Sequence, residues 1–210
     1  MTSQDIIFIL DESGSMANMG KEPVEAVNSF IMSQKTIFVD DSSTFSLWKF
    51  NTKVTKLLDD VPLQQVPIFT DFCPDSMTAL YDAIGYAINT KKQKPNHDNV
   101  ICVILTDGLE NSSQEFSANT TRDMIKDMED NHNWKFIYLG ANQDAFAVGG
   151  DIGVTYCAEY KCEPGEMLHV ARDISDAVSS YRSKSATIGK EATLIINRTQ
   201  SVDSTLPRRE

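Results

Sequence analysis

Residues 5–20 read DIIFILDESGSMANMG. Five apolar residues, Ile6 to Leu10, run into Asp11, and Ser13 and Ser15 follow at alternate positions. A run that is apolar throughout, rather than alternating, marks a strand buried on both faces, as in a parallel sheet covered by helices. The stretch NVICVIL, residues 99–105, has the same character. Strands are therefore expected at Asp5–Asp11 and Asn99–Thr106, with others at Thr44–Phe50, Lys53–Leu58, Lys135–Gly140 and Val154–Ala158. Thr44–Phe50 and Lys53–Leu58 are so close that a turn at Asn51 makes them a hairpin, which adds one antiparallel edge strand.

Between the strands the apolar residues recur at spacings of three and four, the period of one helix face. Val24, Val27, Phe30 and Ile31 form one stripe, and Leu80, Ala83, Ile84, Ala87 and Ile88 a second. Met124, Ile125 and Met128 form a third, and the longest runs from Met167 to Tyr181. Pro23 and Pro164 stand where a first helical turn tolerates proline. Alternating strands and helices predict an α/β domain over residues 1–185: a three-layer, doubly wound (Rossmann-like) sandwich with a mostly parallel sheet. Residues 186–210 are polar apart from ATLII and are expected to be a weakly ordered tail.

The formal net charge of −11 opposes binding to phosphate backbones or anionic lipids and suits a protein that attracts cations. No apolar run approaches the ~20 residues of a membrane helix. Met1 is followed by polar TSQD, so the expected location is cytoplasmic, with reduced thiols at Cys73, Cys102, Cys157 and Cys162. Cys157, Cys162 and His169 are only loosely spaced as metal ligands, and no second close pair accompanies them.

Doubly wound sheets bind ligands at the carboxyl ends of their strands. The first strand delivers Asp11, Ser13 and Ser15 to that edge, and the other wholly apolar strand ends in LTDGLEN, delivering Asp107. The stretch DSMTALYDAIGYAI places Thr78 just ahead of a helical stripe. These five oxygen donors, with no His or Cys among them, suit a hard divalent cation, Mg²⁺ first, with Mn²⁺ or Ca²⁺ as alternatives. Singly, each residue has a plainer use. Asp11, Ser13 or Thr78 could cap a helix, and Asp107-Gly108 is an ordinary turn dipeptide.

The D-x-S-x-S of Asp11, Ser13 and Ser15, the Thr78 of TALYDAI and the Asp107 of LTDG together resemble the metal-ion-dependent adhesion site of von Willebrand factor type A domains. The resemblance extends over roughly residues 4–182. It departs from the family pattern at Ser76-Met77, where a glycine-containing stretch is common, and at Ala79, where proline is frequent. The resemblance implies that Ser13, Ser15 and Thr78 ligate the ion directly, with Asp11 and Asp107 acting directly or through water. It further implies a non-enzymatic binding module whose protein partner supplies an Asp or Glu carboxylate; the net charge and the short apolar runs argue against a nucleic acid or membrane partner.

Around this set, Asp82 is expected to support the loop, Asp75 to act as an outer-sphere group, and Glu12 and Glu110 to be rim charges. GGDIG, residues 149–153, is read as a helix end turning into a strand. His97, His132 and His169 lie on scattered segments and are expected to be solvated. The alternative of another class is a Mg²⁺-dependent phosphatase of haloacid-dehalogenase type, in which Asp11 would be the nucleophile. That chemistry needs a second carboxylate two residues on, where this chain has Ser13. No G-x-S-x-G elbow surrounds either serine.

Overall fold

Strand β1 (Asp5–Asp11) divides its side chains between two cores. Ile6, Phe8 and Leu10 point to one side of the sheet, and Ile7 and Ile9 to the other, all of them buried. In the computed structural model, which describes residues 4–184 apart from 39–41, 142–144, 162 and 164, the chain continues through α1 (Glu22–Ile37), β2 (Thr44–Phe50), β3 (Val54–Pro62) and α2 (Leu80–Lys92). It then runs through β4 (Val100–Thr106), α3 (Ala118–His132), β5 (Lys135–Ala141), α4 (Ala145–Asp151), β6 (Tyr156–Tyr160) and α5 (Glu166–Lys184). The expected tail, the domain limit at 185, Cys162 and Pro164 lie outside the described residues.

The six strands are ordered β3-β2-β1-β4-β5-β6. All neighbours are parallel except β2 and β3, so the hairpin supplies the one antiparallel edge. The two wholly apolar strands, β1 and β4, lie side by side at the centre, where both faces of a sheet are covered. Helices α1 and α5 pack on the Ile6–Phe8–Leu10 side, where Phe8 meets Phe30 edge-on at 5.5 Å. Helices α2 and α3 close the other face through Leu80, Ile84, Ile88, Ile125 and Met128.

Local chemistry sets the element ends. Pro23 stands in the first turn of α1, where its missing N–H costs nothing. Ser117 caps α3 by accepting from the Thr120 amide at 3.2 Å, and α3 stops at Asn133, which takes the left-handed conformation. The hairpin turns through Asn51, whose side chain accepts from the Lys53 amide. Helix α4 was not anticipated, although its end at Asp151 agrees with the reading of GGDIG. Also unanticipated is Lys91, buried at the end of α2, where it bridges Asp5 at 2.8 Å and Asp60 at 2.9 Å. Among the described residues no helix is long and apolar enough to cross a membrane.

Candidate metal centre

From β1 the chain runs on one side to β2 and β3, and from β4 on the other to β5 and β6. The carboxyl ends of β1 and β4 therefore flank the point where the winding reverses, which is where such sheets open a crevice. Leu10 pairs with Leu105, so Asp11 and Thr106 emerge side by side. The Thr106 hydroxyl donates to Asp11 Oδ2 at 2.5 Å, and the Ser13 amide donates to Asp11 Oδ1 at 2.7 Å. Ser13 Oγ lies 3.2 Å from Ser15 Oγ, and Ser15 Oγ donates to Asp107 Oδ1 at 2.6 Å.

Thr78 comes from a third segment and is held by its backbone. Its amide donates to Asn111 Oδ1 at 2.8 Å, and its carbonyl accepts from the Asn111 amide at 3.0 Å. Gly108 brings Thr78 to the other ligands. A Cβ placed at Gly108 would lie 3.0 Å from Thr78 Oγ1 and 3.7 Å from both Asp11 Oδ2 and Ser13 Oγ. Three oxygens from two segments, with Gly108 on a third, thus border one small space that a side chain at residue 108 would enter. The five candidate residues are all brought to this rim, linked by hydrogen bonds or by that shared space. Oxygen donors alone around a cavity of this kind fit a hard divalent cation.

For Ser13 and Thr78 the capping explanation does not hold. Ser13 stands at the cap of a short 3-10 segment, Gly14–Met19, but makes no side-chain cap bond there. Helix α2 begins after Ala79, likewise with no side-chain cap, so Thr78 is not spent on it. Ser76 has φ 68, the left-handed conformation that glycine adopts freely. The loop before Thr78 thus keeps a glycine-like path although its sequence has none.

Two expectations about neighbouring acids need correction. Glu12 is no rim charge: it is buried, paired with Lys49 at 2.9 Å, and accepts from the Cys73 amide at 2.6 Å. Lys49 also reaches Asp71 at 3.0 Å, so the pair pins the 71–73 loop against β2. Glu110 does not face outward as a free charge either. It accepts from the Ser112, Ser113 and Tyr81 amides, tying the loop after β4 to the start of α2. Asp82 accepts from the Gln114, Glu115 and Phe116 amides, as a loop support would. Reading the sequence also missed Thr106, although a polar residue closing an all-apolar strand beside Asp107 is the signal that could have found it.

Burial pushes the Asp11 carboxyl up to about 6, against the hydrogen bonds from Thr106 and Ser13, with the nearby Asp107 charge adding to the rise. Burial likewise raises Asp107, against the bond from Ser15. A cation and a proton compete for such a group. Mg²⁺ affinity is therefore expected to fall about tenfold for each pH unit below about 6, as binding must displace one proton from Asp11. Calorimetric titrations between pH 5 and 8 would show this, and a flat profile would refute it. Gly108→Ala should leave the fold intact yet lower Mg²⁺ or Mn²⁺ affinity about 10–100-fold, the range seen when groups around metal ligands are disturbed. Unchanged affinity in that variant would mean the ion does not occupy the space over Gly108.

No family model matches the sequence, and no curated protein matches it. Solved structures do. Proximal thread matrix protein 1 of the mussel byssus superposes with a TM-score of 0.61 at 15% identity, over 83% of this chain and 48% of that one. The same protein with a zinc-occupied MIDAS (metal-ion-dependent adhesion site) motif gives 0.60 at 14% identity, over 83% and 48%. A von Willebrand factor type A protein from Catenulispora acidiphila gives 0.58 at 14% identity, over 85% and 43%. The fold of this chain is the von Willebrand factor type A fold. The chain spans about half the length of these structures.

Proposed function

We propose that this chain is a metal-dependent protein-binding module: Asp11, Ser13, Ser15, Thr78 and Asp107 hold a divalent cation, Mg²⁺ first, and a partner protein supplies an Asp or Glu carboxylate. The observation that carries this reading is the space over Gly108, bordered by Thr78 Oγ1, Asp11 Oδ2 and Ser13 Oγ. When bound, the cation supplies an electrophilic coordination position that an incoming carboxylate can fill. Ser13, Ser15 and Thr78 contribute neutral oxygens and leave much of its charge uncompensated. Thr106 and the Ser13 amide hold the Asp11 carboxylate in place, and Ser15 orients Asp107. The zinc-occupied motif of the mussel protein supports the choice of a divalent ion. Met77 and Leu109, 51% and 59% exposed, flank Thr78 and Asp107 with apolar surface, which suits a protein partner better than a small phosphate ester.

The phosphatase reading is weaker on this geometry. Both carboxylate oxygens of Asp11 already accept hydrogen bonds, and the residue is fully buried. The deciding experiment captures partners from the native host on the immobilised chain in Mg²⁺ or in EDTA, alongside a p-nitrophenyl phosphate assay. Partners retained only in Mg²⁺, without turnover, support the module. Equal capture in EDTA sinks it, and Asp11-dependent turnover would favour the phosphatase.

A further inference from the structure

The three histidines were expected to be scattered and solvated, but two of them meet. His97 and Asp98 lie between α2 and β4, and His132 closes α3 just before β5. All three sit at the amino ends of the parallel strands, the edge opposite the candidate metal centre. His132 Nδ1 is 2.7 Å from Asp98 Oδ1, and His97 Nε2 is 3.8 Å from the same oxygen. The imidazole centroids are 5.1 Å apart. One ligand atom from each of the three residues lies within 4.8 Å of the others.

We propose that His97, Asp98 and His132 form a second cation site, selective for Zn²⁺ over Mg²⁺. Two imidazole nitrogens and one carboxylate oxygen are a zinc donor set, whereas Mg²⁺ prefers oxygen alone. Tetrahedral zinc with bonds of about 2.0–2.1 Å holds its ligand atoms roughly 3.3–3.4 Å apart. The 2.7 and 3.8 Å separations bracket that value; the shorter is a hydrogen bond in which His132 Nδ1 donates to Asp98, and zinc would take the place of that proton. His97 Nδ1 lies 3.0 Å from the Lys94 carbonyl. A carbonyl only accepts, so the proton sits on Nδ1 and the Nε2 lone pair faces Asp98, the arrangement usual for a zinc-ligating histidine.

The backbones that carry these side chains are tied together. The Asn99 amide donates to the His132 carbonyl at 3.0 Å, and the Trp134 indole donates to the His97 carbonyl at 2.6 Å. Asn133 Nδ2 adds a bond to Asn99 Oδ1 at 2.7 Å. The ligands are thus pre-positioned, and Asp98 is 58% exposed, so an ion can enter and keep a water as its fourth ligand. Bound zinc would clamp the loop before β4 to the end of α3.

The chain has three histidines, so their imidazole NMR signals report directly on the site. In a Zn²⁺ titration of the full chain, the His97 and His132 signals should shift together to saturation at one equivalent. Those of His169 should stay in place, and Mg²⁺ should move none of them. His97→Gln and Asp98→Asn should each lower zinc affinity at least about tenfold. Asp98→Asn changes an exposed side chain and keeps its oxygen acceptor, so the fold survives that test. Zinc shifts absent from both His97 and His132, or affinity unchanged in both variants, would overturn the proposal. A response abolished by Asp11→Asn but not by Asp98→Asn would assign the zinc to the other edge and overturn it equally. The reading of the Asp11 site stands or falls separately, on Mg²⁺.

Discussion

Millimolar Mg²⁺ or Mn²⁺ is expected to raise the melting temperature of the wild-type chain by about 5–10 °C, and Asp11→Ala to remove most of that rise. A ligand at a hundredfold excess over its dissociation constant adds about 2.7 kcal/mol to stability. For a domain of this size, each kcal/mol corresponds to roughly 2–4 °C. The site itself explains why an ion should matter. Asp11 is fully buried, and that burial holds its carboxyl near 6. A folded-state value above the usual 3.8 means that its stabilising contribution is complete below about pH 3.8 and lost as pH rises through about 6. In EDTA at pH 7 that loss is on the order of 2–3 kcal/mol. A bound dication offsets it, so the gain from Mg²⁺ should shrink as the pH is lowered from 7 to 5. Asp11→Asn keeps the shape and one of the two acceptor oxygens while removing the charge, and it should melt independently of Mg²⁺. Thermal unfolding followed by circular dichroism would check both variants. A wild type indifferent to both ions leaves no role for the site.

The second large effect concerns binding. Affinity for the partner should be lost in EDTA and fall sharply in Ser13→Ala, Thr78→Ala or Asp107→Ala. The reason is electrostatic. The chain carries a net charge of −11, so an acidic partner surface is repelled unless a cation lies between the two. Replacing the one partner Asp or Glu that reaches the ion should cost as much as Thr78→Ala. Combining the two changes should cost little more, because both break a single contact. Calorimetry on that double-mutant cycle, with and without metal, gives the answer. Fully additive losses would show that the carboxylate and Thr78 act separately.

What the amino-acid sequence determined by itself was the frame. Two strands with no polar alternation had to be buried on both faces, and they occupy the two central positions of the sheet. Helical periods of three and four located four of the five α-helices among the described residues, and the short Asn51 connection located the antiparallel edge. The five candidate ligands were legible because strand ends and helix starts are local features, and the winding rule sends them to one edge. Pairings between distant residues were not legible. Glu12 and Glu110 look like surface charges in one dimension. Only the fold brings Lys49 under Glu12 and turns the Tyr81, Ser112 and Ser113 amides toward Glu110. The same holds for Gly108. As part of a turn dipeptide it is unremarked, and it becomes the floor of a space only once Thr78, 30 residues earlier in the chain, is folded against it. His97 and His132 are also far apart in sequence, yet parallel neighbours β4 and β5 begin side by side and draw the segments before them together. Burial and periodicity are written residue by residue. The charge partners that decide what a carboxylate or an imidazole can do are assembled only when the sheet closes.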